Sequence, residues 1–270
     1  MSVRRKITTL LQERCGTVLA ADVRIGLGYT AVRLEDGRTG VAYTFRDIDF
    51  SGCSVFRGLR PVAGKPAAQL LALIESQDRL ESSLGLATAN AVANQARDGD
   101  IAGDVLDAID ILPSDRVGMV GFFGPLIAPL EDRVRLLEVF EEAPDIAAGL
   151  LPASEAFNSL PKCDLALITS TTIINNTVDA LLEAASHCRG VVLLGSSTPR
   201  LPEAFQDTPV TCLSGISVND PAGILQVVSE GGGTRFFKPF VTKWNVAVTT
   251  GHPVGNRHDP DTSRENRSAS

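Results

Sequence analysis

The side chains best placed for chemistry stand in short polar turns, each at the end of an apolar run. The richest is Thr169-Ser170-Thr171-Thr172-Ile173-Ile174-Asn175-Asn176-Thr177, which leads into a helical pattern over residues 178–185. Hydroxyls, carboxamides and free backbone N–H groups at a helix start form an anion-binding surface. A plain N-cap uses one such residue, and seven of these nine are polar. Thr171, Thr172, Asn175 and Asn176 are therefore candidate ligand-binding residues. Gly195-Ser196-Ser197-Thr198-Pro199 and Ser214-Gly215 make comparable turns. They add Ser196, Ser197, Thr198 and Gly215, the glycines allowing a ligand to approach the main chain.

Three further segments carry candidates. Gly121-Phe122-Phe123-Gly124-Pro125 follows an apolar run. It lacks the GxGxxG spacing that cradles a pyrophosphate. It reads either as a close backbone approach to a ligand, through Gly121, Phe122 and Phe123, or as a tight strand-to-helix turn. Glu141 lies twenty residues beyond Gly121, where a ribose-binding acid would fall, and its neighbour Glu142 fits nearly as well. Gly26-Leu27-Gly28-Tyr29-Thr30 interrupts two strand patterns. Glycine there signals a bulge or a close approach, and Gly28, Tyr29 and Thr30 could reach a cleft. Lys243 follows Phe236, Phe237 and Phe240 and precedes Trp244. It reads as an anion partner closing over a cleft or as a surface lysine with a buried stem. Lys243 and Tyr29 are the candidate acid–base groups.

Other chemistries have little support. His187 and Cys188 are adjacent, and neighbours on a helix point about 100° apart, so they do not easily share one ion. No HxH, HExxH or CxxC spacing occurs, and no GxSxG elbow marks a hydrolase. No metal ligands are assigned and no cofactor is named by these motifs. Five scattered cysteines, Cys15, Cys53, Cys163, Cys188 and Cys212, read as reduced, mostly buried thiols. A net charge of −7 offers no basic face for nucleic acid. No apolar run reaches the roughly 18–20 residues of a membrane span. The basic start is followed by an amphipathic stretch rather than a signal-peptide core. A cytoplasmic protein is expected.

The elements that must position these turns fall into two groups. Residues 1–100 read as an α+β domain. It comprises a helix over 3–13, strands over 17–26, 29–34 and 39–45, and helices over 66–76 and 79–96. Asp36-Gly37 joins the last two strands as a hairpin, because glycine accepts positive φ. Residues 101–248 read as a Rossmann-like, doubly wound, mostly parallel α/β domain. A short helix over 101–109 opens it. Its strands lie over 116–121, 133–140, 164–169, 190–195 and 210–214. The stretch 133–140 fits a strand or a helix end and is read as a strand because the alternation needs one. Runs such as Leu165-Ala166-Leu167-Ile168 fit strands covered on both faces. Residues 249–270 hold almost no large apolar side chain and are expected to be a disordered tail.

These motifs together resemble the heavy-metal-chelation family. Its members pair an enolase-N-terminal-like domain with a Rossmann-like domain. The matching residues are Gly26-Leu-Gly-Tyr-Thr-Ala-Val-Arg33, Gly40-Val-Ala-Tyr-Thr44 and Val117-Gly-Met-Val-Gly-Phe-Phe-Gly-Pro125. The turns after 164, 195 and 213, and the stretch from Glu230-Gly-Gly-Gly233 to Lys243, continue the match. The resemblance implies a site between the two domains, built from the strand-end loops. Soft metals want convergent thiolates or imidazoles, which this sequence does not gather. The expectation is an enzyme that binds a small anionic or nucleotide-like metabolite in the interdomain cleft. It would make or modify a small molecule that chelates metal. The alternative is a non-catalytic carrier of a metabolite or metal chelate. A homodimer is compatible with an exposed sheet edge, although no apolar patch in the sequence demands one.

Overall fold

The computed structural model describes residues 1–45, 56, 58, 60–95, 100, 101, 103–143 and 149–249. Cys53 and nearly all of the expected tail, including His252 and His258, lie outside the described residues.

Helix α1 (Val3–Cys15) begins on Ser2, whose hydroxyl accepts the Arg5 N–H, and it buries Ile7 and Leu11 completely. An antiparallel sheet follows, in the order β1 (Ala20–Ile25), β2 (Tyr29–Leu34), β3 (Thr39–Tyr43). The expected hairpin joins β2 to β3, with Gly37 at φ 90°. Helix α2 (Ala67–Leu71) tightens into a 3-10 turn over Ala72–Glu75. Helix α3 (Arg79–Ala93) is capped by Asp78, which accepts the Leu80 and Glu81 N–H groups. Small residues bring α3 and β3 together: a Cβ on Gly40 would lie 2.1 Å from the Ala91 nitrogen.

Residue alternation along the small sheet sorts its two faces. Val32, Leu34 and Ala42 join the core beneath α1, α2 and α3, whereas Ala31 and Val41 pack on Ile224, Leu225 and Val228. The latter belong to helix α7 (Pro221–Ser229), near the end of the chain. The small sheet is thus covered on one side by its own helices and on the other by a helix from the second half.

Among the described residues the larger sheet has seven strands. In chain order they are β4 (Arg116–Val120), β5 (Leu136–Glu141), β6 (Leu151–Pro152), β7 (Leu165–Thr169), β8 (Gly190–Leu194), β9 (Cys212–Val218) and β10 (Val241–Ala247). Their spatial order is β10-β9-β8-β7-β4-β5-β6, all parallel except β10. Strand order therefore reverses between β4 and β7. Leu165 and Leu167 point into one core with Val117, Met119 and Val192, and Ala166 and Ile168 into the other with Val191 and Leu193. Helix α4 (Gly124–Glu131) covers the first face. Helices α5 (Ala156–Ser159) and α6 (Val178–Ala184) cover the second. That second core is continuous with the one beneath the small sheet. Among the described residues no helix is long and apolar enough to cross a membrane.

Three local readings change. The helix expected over 101–109 is only a 3-10 turn at Val105–Asp107. Asp104 accepts the Leu106 N–H, and Ile101 is drawn into a bridge with Asn245. Strand β9 runs on to Val218 because β10 pairs with it along its whole length. Strand β10, which carries Lys243, has no signature of its own in the sequence, since its pairing with β9 is non-local.

A cleft at the carboxyl ends of the parallel strands

A cleft of about 610 Å³ opens where β4, β7, β8 and β9 end, and β2 and β3 of the small sheet supply another part of its wall. This is the crevice at which open α/β sheets bind ligands, the reversal point of strand order. Gly121 ends β4 at φ 93°, and a Cβ there would lie 2.9 Å from the Thr169 side chain at the end of β7. Both conditions require glycine. The β4–α4 and β7–α6 turns are thereby pressed together.

The β7–α6 turn is a short 3-10 helix over Ser170–Ile173. Thr169 Oγ1 and Thr171 Oγ1 lie 3.0 Å apart, and the Thr172 hydroxyl donates to the Thr169 carbonyl at 2.6 Å. Asn175 Nδ2 donates to Glu142 Oε1 at 2.8 Å, while Asn175 Oδ1 accepts the Thr177 hydroxyl at 2.7 Å. From the far side, the buried Arg4 guanidinium of α1 donates to the carbonyls of Ile173, Ile174 and Ser76. The first helix of the chain thus holds the turn from behind.

The β8 turn is fixed as tightly. Ser197 Oγ accepts the Tyr43 N–H at 2.9 Å, and Ser170 Oγ and Thr198 Oγ1 are 2.7 Å apart. Asn90 Nδ2 donates to the carbonyls of Val41 and Ser197, and Asn94 Nδ2 to those of Thr198 and Ile216. Two buried carboxamides, Asn90 within α3 and Asn94 at its C-terminal cap, therefore tie this turn to both sheets.

The sequence candidates divide accordingly. Tyr29, Gly121, Phe122, Phe123, Glu141, Thr171, Thr172, Asn175, Ser196, Ser197, Gly215 and Lys243 line the cleft. Gly28, Thr30, Asn176 and Thr198 lie outside its lining. Thr30 faces the opposite side of β2, wholly buried, with its hydroxyl 2.9 Å from that of Thr44. Thr198 is spent on Ser170. Asn176 is exposed at φ 62° and turns the chain into α6. Gly28 is used through its carbonyl, which accepts the Thr44 N–H. Sequence reasoning did not select Tyr43, Phe45, Asp104, Phe157, Thr169, Ser214 or Thr234, which also line the cleft. Thr169 and Ser214 stood in the quoted turns. Thr234 follows the glycine run Gly231–Gly233, whereas Phe157 comes from a segment with no polar-turn signal.

The two acid–base candidates differ sharply. Burial pushes the Tyr29 phenol up to about 12, against hydrogen bonds from Ser196 and Thr234 that favour its ionised form. Tyr29 therefore keeps its proton at neutral pH. Lys243 is exposed on β10, and its ammonium donates to Asp104 at 3.1 Å. Glu141 has each oxygen engaged by main chain, Oε2 by the Phe122 N–H at 2.9 Å and Oε1 by the Glu142 N–H at 2.8 Å.

A family model described as "Putative heavy-metal chelation" matches residues 104–247, more than half of the chain. A second model with the same description matches residues 9–93. The chain belongs to the heavy-metal-chelation family. A protein of Methanocaldococcus jannaschii, described as uncharacterized, is 25% identical over 256 residues, covering 91% of this chain and 96% of the relative. Two solved structures of the family share the architecture. One, of unknown function from Pyrococcus horikoshii, has a TM-score of 0.79 at 22% identity, covering 92% of this chain and 100% of that one. The other, from Desulfitobacterium hafniense, also of unknown function, has a TM-score of 0.72 at 25% identity, covering 88% and 98%.

The family's description raises direct metal binding, and the donor set does not fit it. Among the described residues no three His, Cys, Asp or Glu side chains converge where one ion could be held. Cys15, Cys163, Cys188 and Cys212 are free thiols, and none of them lines the cleft. Burial pushes Cys163 up to about 11, Cys188 to about 12 and Cys212 to about 11, and raises Cys15 as well. Soft ions are bound by thiolates, and burial disfavours the charged form of each of these groups.

Proposed function

We propose that this member of the heavy-metal-chelation family is an enzyme acting on a small nucleotide-like metabolite held in the cleft. Its role is the biosynthesis or modification of a small molecule that chelates metal, so that the metal is met by the product rather than by the protein. The observation that carries this reading is the composition of the cleft. It joins rings from the small sheet to hydroxyl and amide groups at the strand reversal point, with no soft-metal donor set among the described residues. Of the two ligand chemistries suggested by sequence, anionic and nucleotide-like, the aromatic wall supports the second. In this reading Thr171, Ser196 and Ser197 orient the ligand, and Tyr29 is the proton donor.

A carrier reading has its own support. Lys243 and Glu141 are already engaged by other groups, and the Tyr29 hydroxyl is hydrogen-bonded to Ser196 and Thr234, so none of the three is a titratable side chain left free for a reacting atom. An enzyme needs such a group and a carrier does not.

The test is to incubate the protein with a metabolite extract, following which masses it retains and which it converts. The enzyme reading expects a retained compound to be converted by the wild type. Tyr29→Phe would still retain it, with turnover reduced about a hundredfold or more. Retention without conversion in every variant establishes the carrier instead.

A further inference from the structure

We infer that the cleft selects a planar ring compound carrying no net negative charge, the base-like part of a nucleotide without its phosphate. This deepens, and rests on, the cleft reading above.

The first observation is the concentration of rings. Aromatic residues are only 5% of the chain, yet both tyrosines and five of its eleven phenylalanines line this cleft. Tyr29 and Tyr43 meet edge to face at 5.8 Å and 88°, and Tyr43 and Phe45 at 5.1 Å and 87°. They form a ladder of rings along the small-sheet wall. Phe122 and Phe157 line the same space while 55% and 40% exposed. Large rings left open to water at a cavity mouth gain free energy once a flat apolar surface covers them.

The second observation concerns charge. In a dinucleotide-binding fold the phosphates sit on the turn after the first strand of the parallel sheet. Here the corresponding turn follows β4, and the Glu141 carboxylate already occupies the Phe122 N–H. Pro125 removes another donor from the start of α4. An incoming phosphate would meet a resident carboxylate. The nearby cations are matched as well: Lys243 lies 3.1 Å from Asp104, and Arg79 stands 4.0 Å from Glu142. Among the described residues no arginine lines the cleft and Glu141 has no cationic partner. The balance is negative, which repels anions and admits neutral or cationic rings.

The test uses four small probes with full-length protein, followed by amide shifts in two-dimensional NMR. 1-Methylnicotinamide, nicotinamide and nicotinate share one ring and carry positive, zero and negative charge. Cyclohexanecarboxamide keeps the amide without the aromatic ring. The expected result is that the cationic and neutral rings bind about tenfold or more tightly than nicotinate. Cyclohexanecarboxamide should bind about fivefold or more weakly than nicotinamide. Shifts should centre on residues 121–124 and 169–175. Glu141→Gln should narrow the gap between nicotinamide and nicotinate. Phe122→Leu should weaken every aromatic probe without changing their order. Tightest binding by nicotinate, or equal binding of the saturated amide, overturns the inference while the cleft reading stands. Failure of all four to bind in the cleft at millimolar concentration overturns both.

Discussion

Tyr29 links the chemistry of the cleft to the stability of the chain. Its phenol is held up at about 12 in the folded protein, against 10 for the unperturbed group. The folded state therefore keeps a proton that the unfolded chain releases first. The resulting stability is complete below pH 10 and is lost as pH rises towards 12. Denaturant midpoints measured across this window should fall with pH, and Tyr29→Phe should flatten part of that fall. The thiols carry a related expectation. Cys163 and Cys212 are buried and held near 11, so alkylation at neutral pH should wait for unfolding. Mass spectrometry of briefly labelled native protein should find both unmodified. At Gly121, an added Cβ meets Thr169 and the backbone φ is positive. Gly121→Ala should cost at least about 1 kcal/mol from conformation alone, read by chemical denaturation, and should weaken ligand retention as well.

Turns rather than whole elements set the geometry of the site, and α3 is the element that fixes them. Asn90 and Asn94 each bridge two backbone carbonyls from separate parts of the chain. Replacing either with Ala leaves buried acceptors unpaired and should cost about 1–3 kcal/mol of stability, measured by denaturation. Neither residue could be singled out from sequence, because Asn90 and Asn94 sit in an Ala-rich helical run whose partners lie at Val41, Ser197, Thr198 and Ile216. The parallel strands were legible for the opposite reason. Leu165-Ala166-Leu167-Ile168 needs apolar cover on both faces wherever it lies, and the polar turn after it must then mark a strand end. The alternation of strands and helices placed β5 despite its ambiguous pattern. It gave no sign of β10, whose pairing with β9 spans the intervening α7 and α8 (Thr234–Phe237). The same limit applies to the cleft. Gly121, Thr171 and Ser197 announced themselves as strand-end turns, whereas Phe157 enters from α5 and is placed only by the tertiary fold.

The halves of the molecule share a core that runs from Val3, Ile7 and Leu84 through Ile173, Leu181 and Leu193. The small sheet also borrows cover from α7. Denaturation should therefore proceed as one transition. Fluorescence of the single tryptophan, Trp244 in the larger sheet, should coincide with amide exchange of α3, and separated transitions would show that the halves unfold independently. At this scale the central claim is that the molecule holds an organic ligand between its two sheets and leaves metal to that ligand. Native mass spectrometry of freshly purified protein, before dialysis or exposure to chelator, tests it most directly. The expected result is a retained organic mass of metabolite size, with or without metal, that is diminished in Phe122→Leu. A bare metal ion at one per chain, with no organic mass and no response to that substitution, would contradict it.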